Sequence, residues 1–449
     1  MMPSEPVGPV QFTGVEIETW LLKFDKHGAC ISPQTRAAFL ARLDNAPHAP
    51  VILFSHGWNN DYSDAVALYR DFLLQLQAHW HQYSSGPVAP IFLGVIWPST
   101  WLSFDHGPDM ASATPAGASS AEQALGAELA ALLPDAQQAR LLALLARSAL
   151  NESDAQELGA LLAGALRAEA RPQAGDDIAA ADAGAIVAGT QALRELDHAG
   201  NAGAGLDDGG TVDGGGRAAP LRDAGLLDYL DPRQALRVAS VYQMKDRAGT
   251  VGRLGLAPLL GEILARSAGP LHALGHSYGA KVVLSSIAAA PLPRPLASVL
   301  LLEPAVSHLC FAEHVPGRAG PGGYRAVLGR IAGSLLMTYS GHDFPLHEVF
   351  HRALRRDTDL AELGAAAAGD TSAGAPPNAY AALGGYGPRG AGQALREPLP
   401  EPGTSFALPA GSTPLAFDGT LHERINGHGD VRSAYTAWLL YVQMSQAHN

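Results

Sequence analysis

Five consecutive residues, Gly275-His276-Ser277-Tyr278-Gly279, set a hydroxyl between two glycines. A serine is a weak nucleophile until a neighbouring base takes its proton, and that base must itself be oriented by a carboxylate. Both kinds of group follow in the chain. Glu303 lies in "LLLEPA" and Asp343 in "GHDFPLH", and five histidines come after Asp343: His347, His351, His422, His428 and His448. Upstream, His56-Gly57-Trp58 closes the apolar run "VILFS". The chemistry open to this set is acyl transfer, in which serine attacks a carbonyl, histidine carries the proton, and two converging N–H groups hold the oxyanion.

Such an array has to be delivered by folded elements. "LHALG" before Ser277 is strand-like and "AKVVLSSIAAA" after it is helix-like. A strand turning sharply into a helix forces the residue at the bend into a strained conformation that presents its side chain, with small residues needed two before and two after. Gly275 and Gly279 meet that need, and His276 supports the bend. Tyr278 would offer one backbone N–H to an oxyanion. Trp58 would offer the other, supported by His56 and by Gly57, which lets the backbone turn inward. In this arrangement the order along the chain is serine, acid, histidine. Asp343 stands just past the strand-like "SLLMTYS" and is the expected acid, with Glu303 at the end of the preceding strand as its rival. His428, in the Gly-flanked "INGHGDV" before the last helix, is the expected base. His347 and His351 are spaced like a metal pair, but no third ligand follows at suitable spacing, so they read as surface or packing residues and no metal is expected.

The rest of the chain alternates in the manner of a parallel sheet with covering helices. "VEIETWLLKFD", "APVILFSHG" and "APIFLGVIW" read as strands, and "DAVALYRDFLLQLQAHW" as a helix. After residue 221, "ALRVASVYQM", "PLHALGHS", "LASVLLLEPA" and "IAGSLLMTYS" read as strands, and "GLAPLLGEILARS" and "DVRSAYTAWLLYVQMSQ" as helices. Residues 115–200 are rich in Ala, Leu, Glu and Arg, strong helix formers. Ala199–Pro220 is so glycine-dense that it reads as a linker, and Gly374–Ser405 as a long irregular loop. The economical division is an α/β core in two parts, 1–110 and 221–449, interrupted by a helical cap insertion at 111–220.

Bulk properties bound the function. The formal charge of -13, with no basic run to offset it, argues against nucleic acid as the partner. Two cysteines among 449 residues make neither a disulfide framework nor a metal knuckle. The start "MMPSEPVGPVQFTG" lacks the basic and apolar parts of a signal peptide, and no apolar run reaches the ~18 residues of a membrane span. A soluble, cytoplasmic protein is the expectation, and the oligomeric state is left open.

The segments "LFSHGWNND", "GVIWPS", "YQMKDRAGTVG", "LGHSYGAKVV", "LLLEPAVSH", "YSGHDFPL" and "NGHGDV" together resemble the α/β-hydrolase superfamily, in particular its bacterial esterase- and lipase-like serine hydrolases. The resemblance covers roughly residues 15–105 and 221–445, leaving the helical insertion outside. It implies a mostly parallel central sheet flanked by helices, with Ser277 as nucleophile, Asp343 as acid, His428 as base, Trp58 and Tyr278 as oxyanion donors, and no cofactor. The expected reaction is hydrolysis of a small-molecule or lipid-like ester, the apolar insertion tilting it towards an apolar acyl group. A peptidase or acyltransferase on the same residues, or a binding protein that kept the fold, are the alternatives.

Overall fold

The computed structural model describes residues 7–58, 60–84, 90–99, 120–169, 182–203, 230–315, 319–354, 372–392, 394–409 and 413–446. Eight strands form one sheet: β1 (Glu18–Lys23), β2 (Val51–Ser55), β3 (Ile91–Ile96), β4 (Leu271–His276), β5 (Ser298–Leu302), β6 (Leu335–Tyr339), β7 (Leu395–Pro398) and β8 (Pro414–Asp418). Their order is β1-β3-β2-β4-β5-β6-β8-β7, and every neighbouring pair is parallel. The protein is therefore of the α/β class. A parallel sheet is covered on both faces, which is why "VILFS", "SVLLL" and "LLMTY" are apolar without alternation and buried throughout.

The helices are α1 (Pro33–Asp44), α2 (Tyr62–Tyr83), α3 (Ser120–Ala130), α4 (Asp135–Leu145), α5 (Glu152–Glu169), α6 (Ala183–Gly203), α7 (Pro232–Thr250), α8 (Ala257–Arg266), α9 (Tyr278–Ala289), α10 (Phe350–Ala353), α11 (Leu383–Tyr386) and α12 (Ala434–Gln446). Two compact units divide the chain. One comprises residues 1–100, 244–351 and 357–449 and holds the whole sheet; the other comprises 101–243 and 352–356 and holds α3 to α6 with the first part of α7. Within the sheet unit, Phe72 and Leu76 of α2 and Leu440 and Met444 of α12 share a core with Ile52, Phe54, Leu274, Leu300 and Phe417.

Chain order places the site. From β2 the chain moves outward to β3, then returns to the other side of β2 for β4 and continues outward through β5 and β6. The connections leaving β2 and β4 thus diverge beyond their carboxyl ends, the position at which α/β sheets bind ligands. His56-Gly57-Trp58 follows β2, and Ser277 follows β4.

Three expectations are corrected. "ALRVASVYQM" is not a strand but most of α7. Its β-branched Val238 and Val241 are outweighed by the start signal ahead of them: the Asp231 carboxylate accepts the Arg233 N–H at 2.9 Å, and Pro232 opens the helix. The stretch Gly374–Ser405 is not an irregular loop throughout, because it contains α11 and the edge strand β7. β8 forms where no strand is expected. Of the expected linker, residues 199–203 complete α6, and the remainder lies outside the described residues.

Candidate active site

Ser277 caps α9 with φ 55° and ψ -125°, backbone angles that only glycine adopts without strain. Its neighbours hold it there. The Ser277 N–H donates to Leu302 O at 3.0 Å, and Ala305 N–H donates to Ser277 O at 3.1 Å, so the backbone after β5 grips the bend from both sides. The flanking glycines leave no alternative. A Cβ on Gly279 would stand 2.0 Å from Ser55 O, and one on Gly275 would stand 2.5 Å from the Ala280 Cα. The site sits at the amino end of α9, where unpaired N–H groups carry partial positive charge.

His428 and Asp343 arrive from the two later strand ends. His428 Nε2 lies 2.8 Å from Ser277 Oγ, and His428 Nδ1 lies 2.7 Å from Asp343 Oδ2. Asp343 is fully buried in the loop after β6, and its other oxygen accepts the Leu346 N–H at 3.0 Å. Of the two candidate acids, the one that takes the His428 ring N–H is Asp343; Glu303 lies buried behind it. The loop carrying His428 is tied down by Ser340 Oγ, which donates to Ile425 O at 2.8 Å.

The bend and the histidine loop are also joined directly. His276 Nε2–H donates to His428 O at 2.8 Å, and the two rings lie 4.9 Å apart. Burial above all, with His428 nearby, brings His276 down to about 3, so it is neutral. His56 is likewise buried and brought down to about 4. Its ring stacks on Trp97 at 5.6 Å, its Nε2 accepts the Trp97 N–H at 3.2 Å, and its Nδ1–H is therefore the donor to Gly57 O at 2.9 Å. Asn60 Nδ2 donates to the same carbonyl at 3.3 Å and to Trp58 O at 3.0 Å. With the Gly57 carbonyl pinned towards His56, the Trp58 N–H of that planar trans peptide faces the opposite way. Gly57 itself abuts the serine, since a Cβ on it would stand 2.6 Å from Ser277 Cβ. Were Ser277 a nucleophile, Gly57→Ala would push it off line and lower kcat by about a hundredfold, as misplacement by about 1 Å does. Turnover compared with the thermal midpoint checks this, the midpoint moving much less than the rate.

These rings make a pH prediction. A histidine held neutral in the fold but free to take a proton near 6.5 once unfolded stabilises the protein above that pH, and its contribution is lost as the pH falls towards the folded-state value. His56, His276 and His308 are all of this kind, His308 brought down to about 3 by burial. Lowering the pH from about 7 to about 4.5 should cost up to ~1.4 kcal/mol per pH unit for each ring. Denaturant melts across that range measure the slope, and a stability that stayed level would contradict the neutral rings.

The remaining histidines do other work. The His347 ring stacks on Tyr386 at 4.3 Å, with Nδ1 on Glu348 and Nε2 on Ala373 O; His351 meets the edge of Tyr386 at 6.5 Å. Among the described residues no group of three or more His, Cys, Asp or Glu is arranged to hold a metal. His422 is exposed, and His448 lies outside the described residues. Both cysteines, Cys30 and Cys310, are free thiols. No described helix is long and apolar enough to cross a membrane.

Sequence reasoning missed Asn60, which follows β2, Thr338, which lies in β6, and Ser340 and Leu346, which follow β6. Only Asn60 left a signal, since an amide three residues past a glycine turn can cap the carbonyls of that turn. What the arrangement can do chemically is move a proton from Ser277 Oγ to His428 Nε2 while Asp343 faces the ring from behind. No protein-family model, curated protein or solved structure matches this chain.

Proposed function

We propose that this chain is a serine hydrolase of the α/β-hydrolase type that cleaves esters through an acyl-enzyme on Ser277. The observation that carries the reading is the continuous line from Asp343 through His428 to a strained serine, at 2.7 and 2.8 Å, beyond the carboxyl end of β4. A strained side chain is retained where the surroundings over-determine it, and such strain clusters at reactive sites.

In the mechanism, Ser277 Oγ attacks the ester carbonyl carbon as His428 Nε2 takes its proton. The carbonyl oxygen becomes an oxyanion, held by the N–H of Tyr278 at the start of α9 and by the N–H of Trp58, which the His56-to-Gly57 hydrogen bond turns away from His56. His428 then gives its proton to the departing alkoxide, and the acyl group remains on Ser277. Water enters, loses a proton to His428 and attacks the acyl carbon, and the proton returns to Ser277 Oγ as the acid leaves. Asp343 stays ionised throughout, keeping Nδ1–H of His428 towards itself and Nε2 towards the serine. The Trp58 ring, half-buried beside the serine and 6.2 Å from the buried Tyr278 ring, offers apolar surface to the acyl part, which favours an apolar ester.

A fluorophosphonate probe tests the reading. The intact protein should be labelled on Ser277, stoichiometrically and with loss of p-nitrophenyl ester turnover. A protein that binds no probe and turns over no ester would instead be a non-catalytic binding protein of this architecture.

A further inference from the structure

Glu303 directly follows β5 with φ 43°, again in the left-handed region that non-glycine residues avoid. Its backbone lies inside the grip on the bend, between Leu302 and Ala305, both bonded to Ser277. Its own N–H donates to Thr338 Oγ1 at 3.1 Å. α11 closes the other side: Gly384 N–H donates to Pro304 O at 3.0 Å, and a Cβ on Gly384 would stand 2.5 Å from the Glu303 carbonyl carbon. The side chain is fully buried. Asp343 and Thr338 are the nearest polar side chains that bear on its carboxyl, and Asp418 is the other charged group. Among the described residues no N–H or O–H donor reaches either of its carboxyl oxygens.

Two carboxyls in contact away from water do not both stay ionised. Asp343 has the donors, Leu346 N–H and the His428 ring, so it is the one that keeps its charge. Burial first, and the Asp343 charge second, push Glu303 well above the usual carboxylate range. A protonated carboxyl is a donor, and the acceptor before it is Asp343.

We propose that Glu303 is a positioning residue that keeps its proton and donates it to Asp343, holding that carboxylate where it accepts the ring N–H of His428. Two effects follow. Asp343 gains a third donor, which fixes the rotation of its carboxylate, and the space behind the imidazole holds one negative charge rather than two. The kinetic consequence rests on the hydrolase reading above, whereas the protonation does not.

Two variants separate the parts. Glu303→Gln keeps shape, neutrality and a donor; Glu303→Leu keeps the volume and removes the donor. The Leu variant should lose kcat by about ten- to a hundredfold with KM unchanged, as small misplacements do, and the Gln variant should recover kcat to within about threefold. Equal losses in both would overturn the donor role, as would a Gln variant down by tenfold or more. The second arm needs no substrate and decides whether or not Ser277 hydrolyses esters, and whether or not the Leu variant folds. Unfolded, Glu303 gives up its proton near the ordinary carboxylate range; folded, it keeps it. Above about pH 5 the unfolded parent protein thus lacks a proton at Glu303 that the folded one keeps, and this group's contribution to stability falls as pH rises, against the opposite slope of the buried histidines. Glu303→Gln lacks that term. The ratio of folding constants, Gln variant over parent, should therefore climb by up to about tenfold per pH unit from about pH 5 upward, measured by denaturant melts. A ratio that stays flat to about pH 8 would mean an ionised Glu303 and would overturn the proposal.

Discussion

Ser277→Ala should leave a folded protein with about a millionfold less ester turnover, the scale on which triad nucleophiles are lost. The Oγ is the atom that faces His428 Nε2 at 2.8 Å, and alanine has nothing to offer in its place. The fold should hardly notice. The side chain supplies none of the bonds that fix the bend, which run through the Ser277 backbone to Leu302 and Ala305. Alanine also tolerates the φ of 55° about as poorly as serine does, so the strain stays as it was. The thermal midpoint should move by about 1 °C or less while kcat collapses. Turnover on short p-nitrophenyl esters surviving above about one part in a hundred would take the nucleophile role away from Ser277.

Asp343→Asn should cost about ten-thousandfold in kcat with KM little changed. The asparagine would occupy the same volume and could still face His428 Nδ1. Its amide, however, can present N–H to the ring, which then carries its own proton on Nε2 and meets Ser277 with a donor instead of an acceptor. The ring would be in place and in the wrong tautomer. Because Asp343 is fully buried and also accepts the Leu346 N–H, the substitution should lower stability as well, by about 1–3 kcal/mol for a partner lost at a charged group. Glu303→Gln makes the contrast, since it changes a carboxyl of the same cluster and should leave kcat nearly intact. A larger loss from Glu303→Gln than from Asp343→Asn would exchange the two roles.

The strands were legible where burial on both faces wrote an unbroken apolar run, as in "VILFS" and "LHALG", and the bend was legible because steric crowding at Gly275 and Gly279 permits no other residue. Asp343 and His428 could be ordered along the chain but not brought together, because 85 residues separate them and only the sheet order places β6 and β8 side by side. α7 reads as a strand because valines and a tyrosine carry strand preference, whereas its helical state is decided by the Asp231-Pro232 start and by burial of Val238, Val241 and Tyr242. β7 and β8 were hidden by prolines that the sheet tolerates at its edge and at a strand start. The proton on Glu303 leaves no mark in any linear pattern, since it exists only through what the folded chain packs around the carboxyl.

The bend at Ser277 also bears on how such a chain can change over generations. A side chain held in that conformation costs the fold about 1–3 kcal/mol, and Glu303 adds a second positive-φ residue within the same grip. Glycine at either place would relieve the backbone outright. Drift towards greater robustness therefore points away from the hydroxyl, and on the hydrolase reading only a continuing demand for its reactivity opposes that drift. A descendant released from the demand would shed the serine early, well before any strand of the sheet eroded, so the residue at this one position is the quickest indicator of whether a relative still works as a catalyst.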